Sequence, residues 1–330
     1  MNRRKLMTFA GLVVGSAAAW RQIAAAQPTS APIIGFLSTR SPEDSKYLVA
    51  AFRKGLASAG FTEGKNITVE YRWAYGHYDR LPAQAAELVH KPVTILVALG
   101  GEPATLAAKS ATSKLPILFG VAGDPVKLGL VASFNRPGGN ATGMSILTTL
   151  LEPKRLGLLH EVVPQASTIG LLLDSNFPLA QKQQRDAQDA ARDLGLDSAV
   201  LPVAQDGDIE AAFQAIEKNK LKALLVTASP FFDTRRDQII ALAAQRAVPA
   251  MYQFREYPGA GGLMSYGIDL ADVYRQIGVY AARVLNGEKP GELPIIQPTK
   301  FELVINMKTA KSLGLNIPSG VLSIADEVIE

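Results

Sequence analysis

Short apolar runs alternate along this chain with longer stretches in which apolar residues recur every three or four positions. The runs IIGFLS (33–38), TILVALG (94–100) and LPILFGV (115–121) read as buried strands, and the stretches between them as amphipathic helices. Residues 43–59 are predicted as the first helix, with Pro42 near its start and Gly60 as its stop. Strand Ile67–Tyr71, a helix from Leu81 to Val89, strand Thr94–Leu99, a helix over Ala104–Ser110 and strand Ile117–Val121 follow. The turn residues Arg136-Pro137-Gly138-Gly139-Asn140 then lead to Thr142–Ile146, expected as a first crossing to another lobe.

The order then repeats. IGLLLD (169–174) answers IIGFLS, with Gly170 lying 135 positions after Gly35, and Gly195 follows Gly60 at the same spacing. KALLVTAS (222–229) answers TILVALG, and Pro249 of VPAMYQF stands 133 positions after Pro116 of LPILFGV. Strands alternating with helices of this length predict parallel sheets. The fold class expected is α/β, with two similar doubly wound parallel-sheet lobes joined by a hinge and a cleft between them. Gly261–Gly267 is expected to carry the chain back, and Asp269–Leu285 to form a helix that packs on the first lobe. The boundaries that follow are 27–146 plus 268–296 for one lobe and 147–267 plus 297–330 for the other.

The first 26 residues stand outside this pattern. Arg3, Arg4 and Lys5 precede an uncharged apolar run, Leu6–Trp20, and Ala24-Ala25-Ala26 offers a cleavage site before Gln27. The run is short for a span of about 20 residues, so it reads as a cleaved export signal, by the Sec or the twin-arginine route. The expected location is the periplasm. The segment carries four basic residues and no acidic one, so the formal charge of +4 belongs to it and the remainder is neutral. No basic run is left to follow a phosphate backbone, which argues against nucleic-acid binding. The chain has no cysteine, which excludes disulfides, thiolate metal sites, a cysteine nucleophile and a lipidated cysteine.

In open α/β sheets, ligands bind beyond the carboxyl ends of the strands, where helix N-termini also point. The candidate ligand-binding residues are therefore Ser38, Thr39, Gly101, Glu102 and Asp124 in the first lobe, with Asn176, Ser229 and Phe231 in the second. Ser145 and Tyr266 come from the crossing segments. Of the adjacent Phe231 and Phe232, one is expected in the core and the other on a cleft wall. His77, His90 and His160 lack the spacing of a helical metal pair, and GxSxG, P-loop and GxGxxG patterns are missing. No catalytic residue, metal or cofactor is assigned. Asp124 and Glu256 are the carboxylates that a hydrolase would use, and a ligand-sensing module for a membrane receptor is the other alternative.

Several long segments carry a resemblance. GFLS (35–38), AFRKGLASAGFTEGKNITVEYRWA (51–74), YDRLPAQAAELV (78–89), GDPVKLGLVASFNRPGGNATG (123–143), AGGLMSYG (260–267) and QPTKFELVINMKTAKSLGL (297–315) resemble the ABC transporter substrate-binding protein family, whose members include aromatic-amino-acid binders. The resemblance implies the periplasmic-binding-protein type I fold. It also implies a monomer that presents a small solute to a membrane permease with a cytoplasmic ATPase. One position departs from it. Where similar sequences read GGTPA, this chain reads Gly100-Gly101-Glu102-Pro103-Ala104, placing a carboxylate where a hydroxyl is usual. The expectation is a solute that is cationic, zwitterionic or neutral and polar, and not a simple anion.

Overall fold

Gly35 and Gly170 occupy the same place in two separate sheets of the computed structural model, which describes residues 31–330. The expected signal segment and the cleavage point before Gln27 lie outside the described residues. Strands β1 (Ile33–Ser38), β2 (Thr68–Trp73), β3 (Ile95–Leu99), β4 (Ile117–Val121) and β5 (Ala141–Ser145) form the first sheet. Their order is β2-β1-β3-β4-β5, parallel throughout. The second sheet holds β6 (Thr168–Asp174), β7 (Asp197–Val203), β8 (Ala223–Val226), β9 (Ala250–Tyr252), β10 (Met264–Ile268), β11 (Phe301–Asn306) and β12 (Glu327–Ile329). Its order is β12-β11-β10-β9-β8-β6-β7, and β10 with β11 is its antiparallel pair.

The run β7-β6-β8-β9-β10 therefore repeats β2-β1-β3-β4-β5 strand for strand. The repeat extends to single hydrogen bonds. Pro116 accepts from the Leu96 N–H at 2.8 Å, and Pro249 accepts from the Leu224 N–H at 2.9 Å. Gly60 and Gly195 both end their helices at positive φ, 86° and 71°, which a residue without Cβ adopts freely.

Helices α1 (Lys46–Ala57), α2 (Leu81–His90) and α3 (Glu102–Ala111) follow the first three strands. Helices α4 (Glu152–Val162), α5 (Ala180–Asp193), α6 (Asp206–Lys218), α7 (Pro230–Thr234), α8 (Arg236–Gln245) and α9 (Glu256–Gly259) serve the second sheet. After α10 (Leu270–Leu285) the chain ends through β11, α11 (Met307–Ser312), α12 (Ser319–Ser323) and β12.

The predicted crossing at Thr142–Ile146 is instead mostly strand. Residues 141–145 are β5, paired with β4 from Ile117–Ala141 to Val121–Ser145. Backbone pairing continues until the Ile146 N–H reaches Val121 O at 2.8 Å, so the chain leaves the first sheet only after that residue. It returns at Asp269, after β10 has filled the fifth place in the second sheet. It passes over again between Ile296, bonded to Gly143 and Ser145, and Phe301, paired with Ile268.

Helix α10 packs on α1 and on the first sheet. The approach to α1 is set by two glycines. A Cβ on Gly278 would lie 2.2 Å from Phe52 O, and one on Gly55 would lie 2.0 Å from Arg275 O, so backbone meets backbone. Gly278→Ala should therefore force the helices apart and cost about 1–3 kcal/mol. Thermal unfolding followed by circular dichroism should show a Tm lower by several degrees; an unchanged Tm would mean that the crossing is loose.

Candidate functional site

The carboxyl ends of both sheets face one cavity of about 480 Å³, its mouth included. From the first sheet come Arg40 after β1, Gly100, Gly101 and Glu102 after β3, and Ala122 after β4. From the second come Phe177 after β6, Ser229, Pro230 and Asp233 after β8, and Gln253 and Phe254 after β9. Thr148 of the first crossing, with Leu270, Val273 and Tyr274 of α10, completes the wall. The lining is largely apolar and its polar groups are few, which suits a small solute with an apolar part and a polar end.

The electrostatic centre is an ion pair between the two sheets' segments. Arg40 Nη1 donates to Asp233 Oδ2 at 2.7 Å, with both side chains almost wholly buried. Asp233 Oδ1 also accepts from Gln253 Nε2 at 2.6 Å and from the Tyr257 hydroxyl at 3.2 Å. Burial raises the Asp233 pKa, while Arg40, Gln253 and Tyr257 favour its ionised form. Burial works against the Arg40 charge too, yet Asp233 holds its pKa above the ordinary value. A buried pair of this kind is tolerated because each charge has the other.

Further hydrogen bonds join or brace the same two sides. The Tyr78 hydroxyl donates to Asp174 Oδ2 at 2.8 Å, and Ser229 Oγ donates to the same oxygen at 2.5 Å. Arg235 Nη1 donates to Tyr75 O at 2.9 Å, and the Tyr47 hydroxyl donates to Glu256 Oε1. The cleft is closed.

Gly100 and Gly101 shape the loop that presents Glu102. Both hold positive φ, 90° and 88°, and a Cβ on Gly100 would fall 2.0 Å from Thr39 Oγ1. Thr39 instead donates to Gly100 O at 2.6 Å and fixes the turn. Glu102 begins α3 with its side chain fully buried. Its Oε1 accepts from the Gly123 N–H at 2.8 Å, whereas Oε2 has no hydrogen-bond partner among the described residues. Burial pushes its pKa up to about 7, against the backbone N–H groups of Glu102, Gly123 and Ala122.

Of the residues expected at the site, Gly101, Glu102 and Ser229 line the cavity. Ser38 lies buried beside it, accepting from the Arg40 N–H at 3.2 Å. Thr39 and Ser145 stand one contact behind the wall. Ser145 Oγ donates to Gly123 O at 2.9 Å and so steadies the loop that holds Glu102. Asp124 does not line the cavity, because its Oδ1 turns back to accept from the Val126 and Lys127 N–H groups. Glu256 is engaged by Tyr47 at the closing edge, so the two carboxylates considered for hydrolysis are not paired across the cavity.

Asn176 donates to Ala204 O at 2.8 Å and lies in an outer groove with Phe231, whose ring sits under the Arg235 guanidinium. Phe231 and Phe232 are both buried in the core, so the expected division into one core and one cleft-wall residue is not seen. Tyr266 stacks on Phe301 and does not line the cavity. Sequence reasoning missed Arg40, Asp233, Gln253, Phe177 and Phe254. Arg40 and Asp233 each sit a step or two beyond residues that were chosen, Thr39 and Phe231. A charge directly after an apolar strand was the available signal.

Among the described residues no group of three or more His, Asp or Glu side chains could hold a metal ion. No helix among them is long and apolar enough to cross a membrane.

The family model for ABC transporter substrate binding protein matches residues 12–329. A tyrosine-binding protein of Clostridioides difficile (strain R20291) is 25% identical over 264 residues, which is 80% of this chain and 75% of that protein. An ABC domain from Streptococcus pneumoniae, solved in complex with L-Trp, is 25% identical and superposes with a TM-score of 0.81, covering 91% of this chain and all of that one. A conserved domain protein from Vibrio cholerae is 26% identical with a TM-score of 0.83, over 90% of this chain and 99% of the other. These neighbours share two parallel-sheet α/β lobes of the periplasmic-binding-protein type I kind.

Because the Arg40–Asp233 pair spans the cleft, its loss can be relieved by opening rather than by unfolding. A hydrogen bond to a charged group contributes about 1.5–3 kcal/mol, so Asp233→Asn should shift the open-to-closed ratio roughly tenfold or more. Small-angle scattering of the unliganded protein should show a larger radius of gyration, with little change in Tm. An unchanged radius would mean that the pair does not hold the cleft shut.

Proposed function

The chain belongs to the ABC transporter substrate-binding protein family, and from that membership we propose that it is an exported receptor which captures a small polar solute and hands it to a membrane permease driven by a cytoplasmic ATPase. The observation that carries this reading is the cavity walled from both sheets, with Arg40 on one side held by Asp233 on the other. Closing around a solute brings in contacts from two sides that an open cleft cannot make together, so the solute favours the closed form by that difference.

The lobes we assign are 27–146 with 268–296, and 147–267 with 297–330. The protein is proposed to act in the periplasm as a monomer, after removal of residues 1–26. Of the similar proteins, one is a tyrosine-binding protein, and another was solved in complex with L-Trp. Phe177, Phe254 and Val273 give this cavity an apolar wall suited to an amino-acid side chain. An amino acid or a related compound is therefore the proposed solute.

The first test is native mass spectrometry of protein purified without refolding, followed by calorimetry with the solute found and with L-tyrosine and L-tryptophan. Phe254→Ala should weaken binding at least tenfold, since truncating a wholly buried aromatic wall loses about 1.5–3 kcal/mol. Asp124→Ala and Tyr266→Ala should stay within about twofold, a change of less than about 0.5 kcal/mol. A protein that retains no solute and binds no amino acid or sugar would sink the proposal. Export is tested separately: N-terminal sequencing of the periplasmic fraction should begin at Gln27, and finding Met1 retained would remove the periplasmic assignment.

A further inference from the structure

The cavity holds three buried charged side chains, and two of them neutralise each other. Arg40 and Asp233 are paired at 2.7 Å. Glu102, which lines the cavity, is left without a cation, and its buried Oε2 is without a partner among the described residues. The other titratable group on the wall is Tyr274 of α10. Around the Glu102 loop, the second sheet's segments bring apolar Phe177 and Pro230 against Gly101, and Leu179 against Gly123. The adjoining loop brings the backbone N–H groups of Ala122 and Gly123 to the carboxylate and not the Asp124 side chain, which is turned to its own backbone.

We propose that Glu102 is an ammonium subsite, so that the solute carries a primary or secondary amine directed at Oε2 and is not a plain carboxylate. This rests on the cleft being the solute site, as proposed above. An ammonium would supply the charge and the donor that the cavity lacks, and a buried charge-assisted hydrogen bond is about twice as strong as a neutral one.

A proton balance follows. In the empty closed cleft Glu102 titrates at about 7, so below that pH it is mostly the neutral acid. When the ammonium docks, the carboxyl loses its proton to solvent and the resulting carboxylate keeps the cation. The bound complex holds fewer protons than its separated partners, so affinity for an amine rises with pH up to about 7 and levels off above it. An anionic solute would show the reverse, because it needs the acid form as a donor.

The test is a thermal-shift panel of matched sets on aromatic, aliphatic and sugar skeletons. Each set holds an amine, an amino acid, an alcohol and a carboxylate; L-phenylalanine, 2-phenylethylamine, 2-phenylethanol and 3-phenylpropanoate form one. Amines or amino acids of at least one set should stabilise the wild type, and their alcohols and carboxylates should not. Calorimetry of the best amine at pH 6, in two buffers of different ionisation heat, should count close to one proton released. Glu102→Gln should weaken that amine at least tenfold and abolish the release. The wild-type panel stands by itself should the variant fold poorly. Binding confined to alcohols or carboxylates, or an amine affinity that Glu102→Gln leaves unchanged, overturns the ammonium subsite and leaves the cleft reading intact. If no member of any set binds, both fall.

Discussion

Arg40 and Asp233 cannot each be buried alone, and they come from opposite sides of the cleft. That constraint organises the closed form. Arg40 follows β1 in the first sheet, and Asp233 lies in α7, after β8 in the second. Their meeting requires the carboxyl ends of both sheets to face each other, as two parallel sheets of the same strand order readily do. Tyr78 with Asp174, and Arg235 with the Tyr75 carbonyl, align the same two surfaces farther out. The cavity is the space those contacts enclose.

The scaffold was largely legible because its signals are local. Gly60 and Gly195 stop helices where positive φ is needed, and Pro116 and Pro249 mark the starts of equivalent strands. A crossing segment is harder to read. Residues 141–145 pair as a strand, and only backbone hydrogen bonds to residues more than twenty positions away distinguish strand from connector. The antiparallel pairing of β11 was similarly hidden, since its partner β10 is separated from it by the whole of α10.

The cavity was legible in place but not in its lining. Looking after each strand found Glu102 and Ser229 directly. It also selected Asp124, whose carboxylate satisfies its own turn, and Tyr266, which stacks on Phe301. The ion pair itself joins residues 193 positions apart, and no local pattern announces such a partner. Ser145 shows a subtler outcome. It reaches the site through Gly123, whose N–H holds one oxygen of Glu102, so its influence is on how that carboxylate is aimed.

Helix α10 also bears on the order in which the molecule can be assembled. It packs on α1 and on the first sheet, and is made after five of the seven strands of the second sheet. During synthesis the first sheet therefore emerges with an apolar surface that no nearby segment can cover. Its completion waits for residues 270–285, with β11, α11, α12 and β12 still to follow. A nascent chain of this design keeps that apolar surface open for most of its translation.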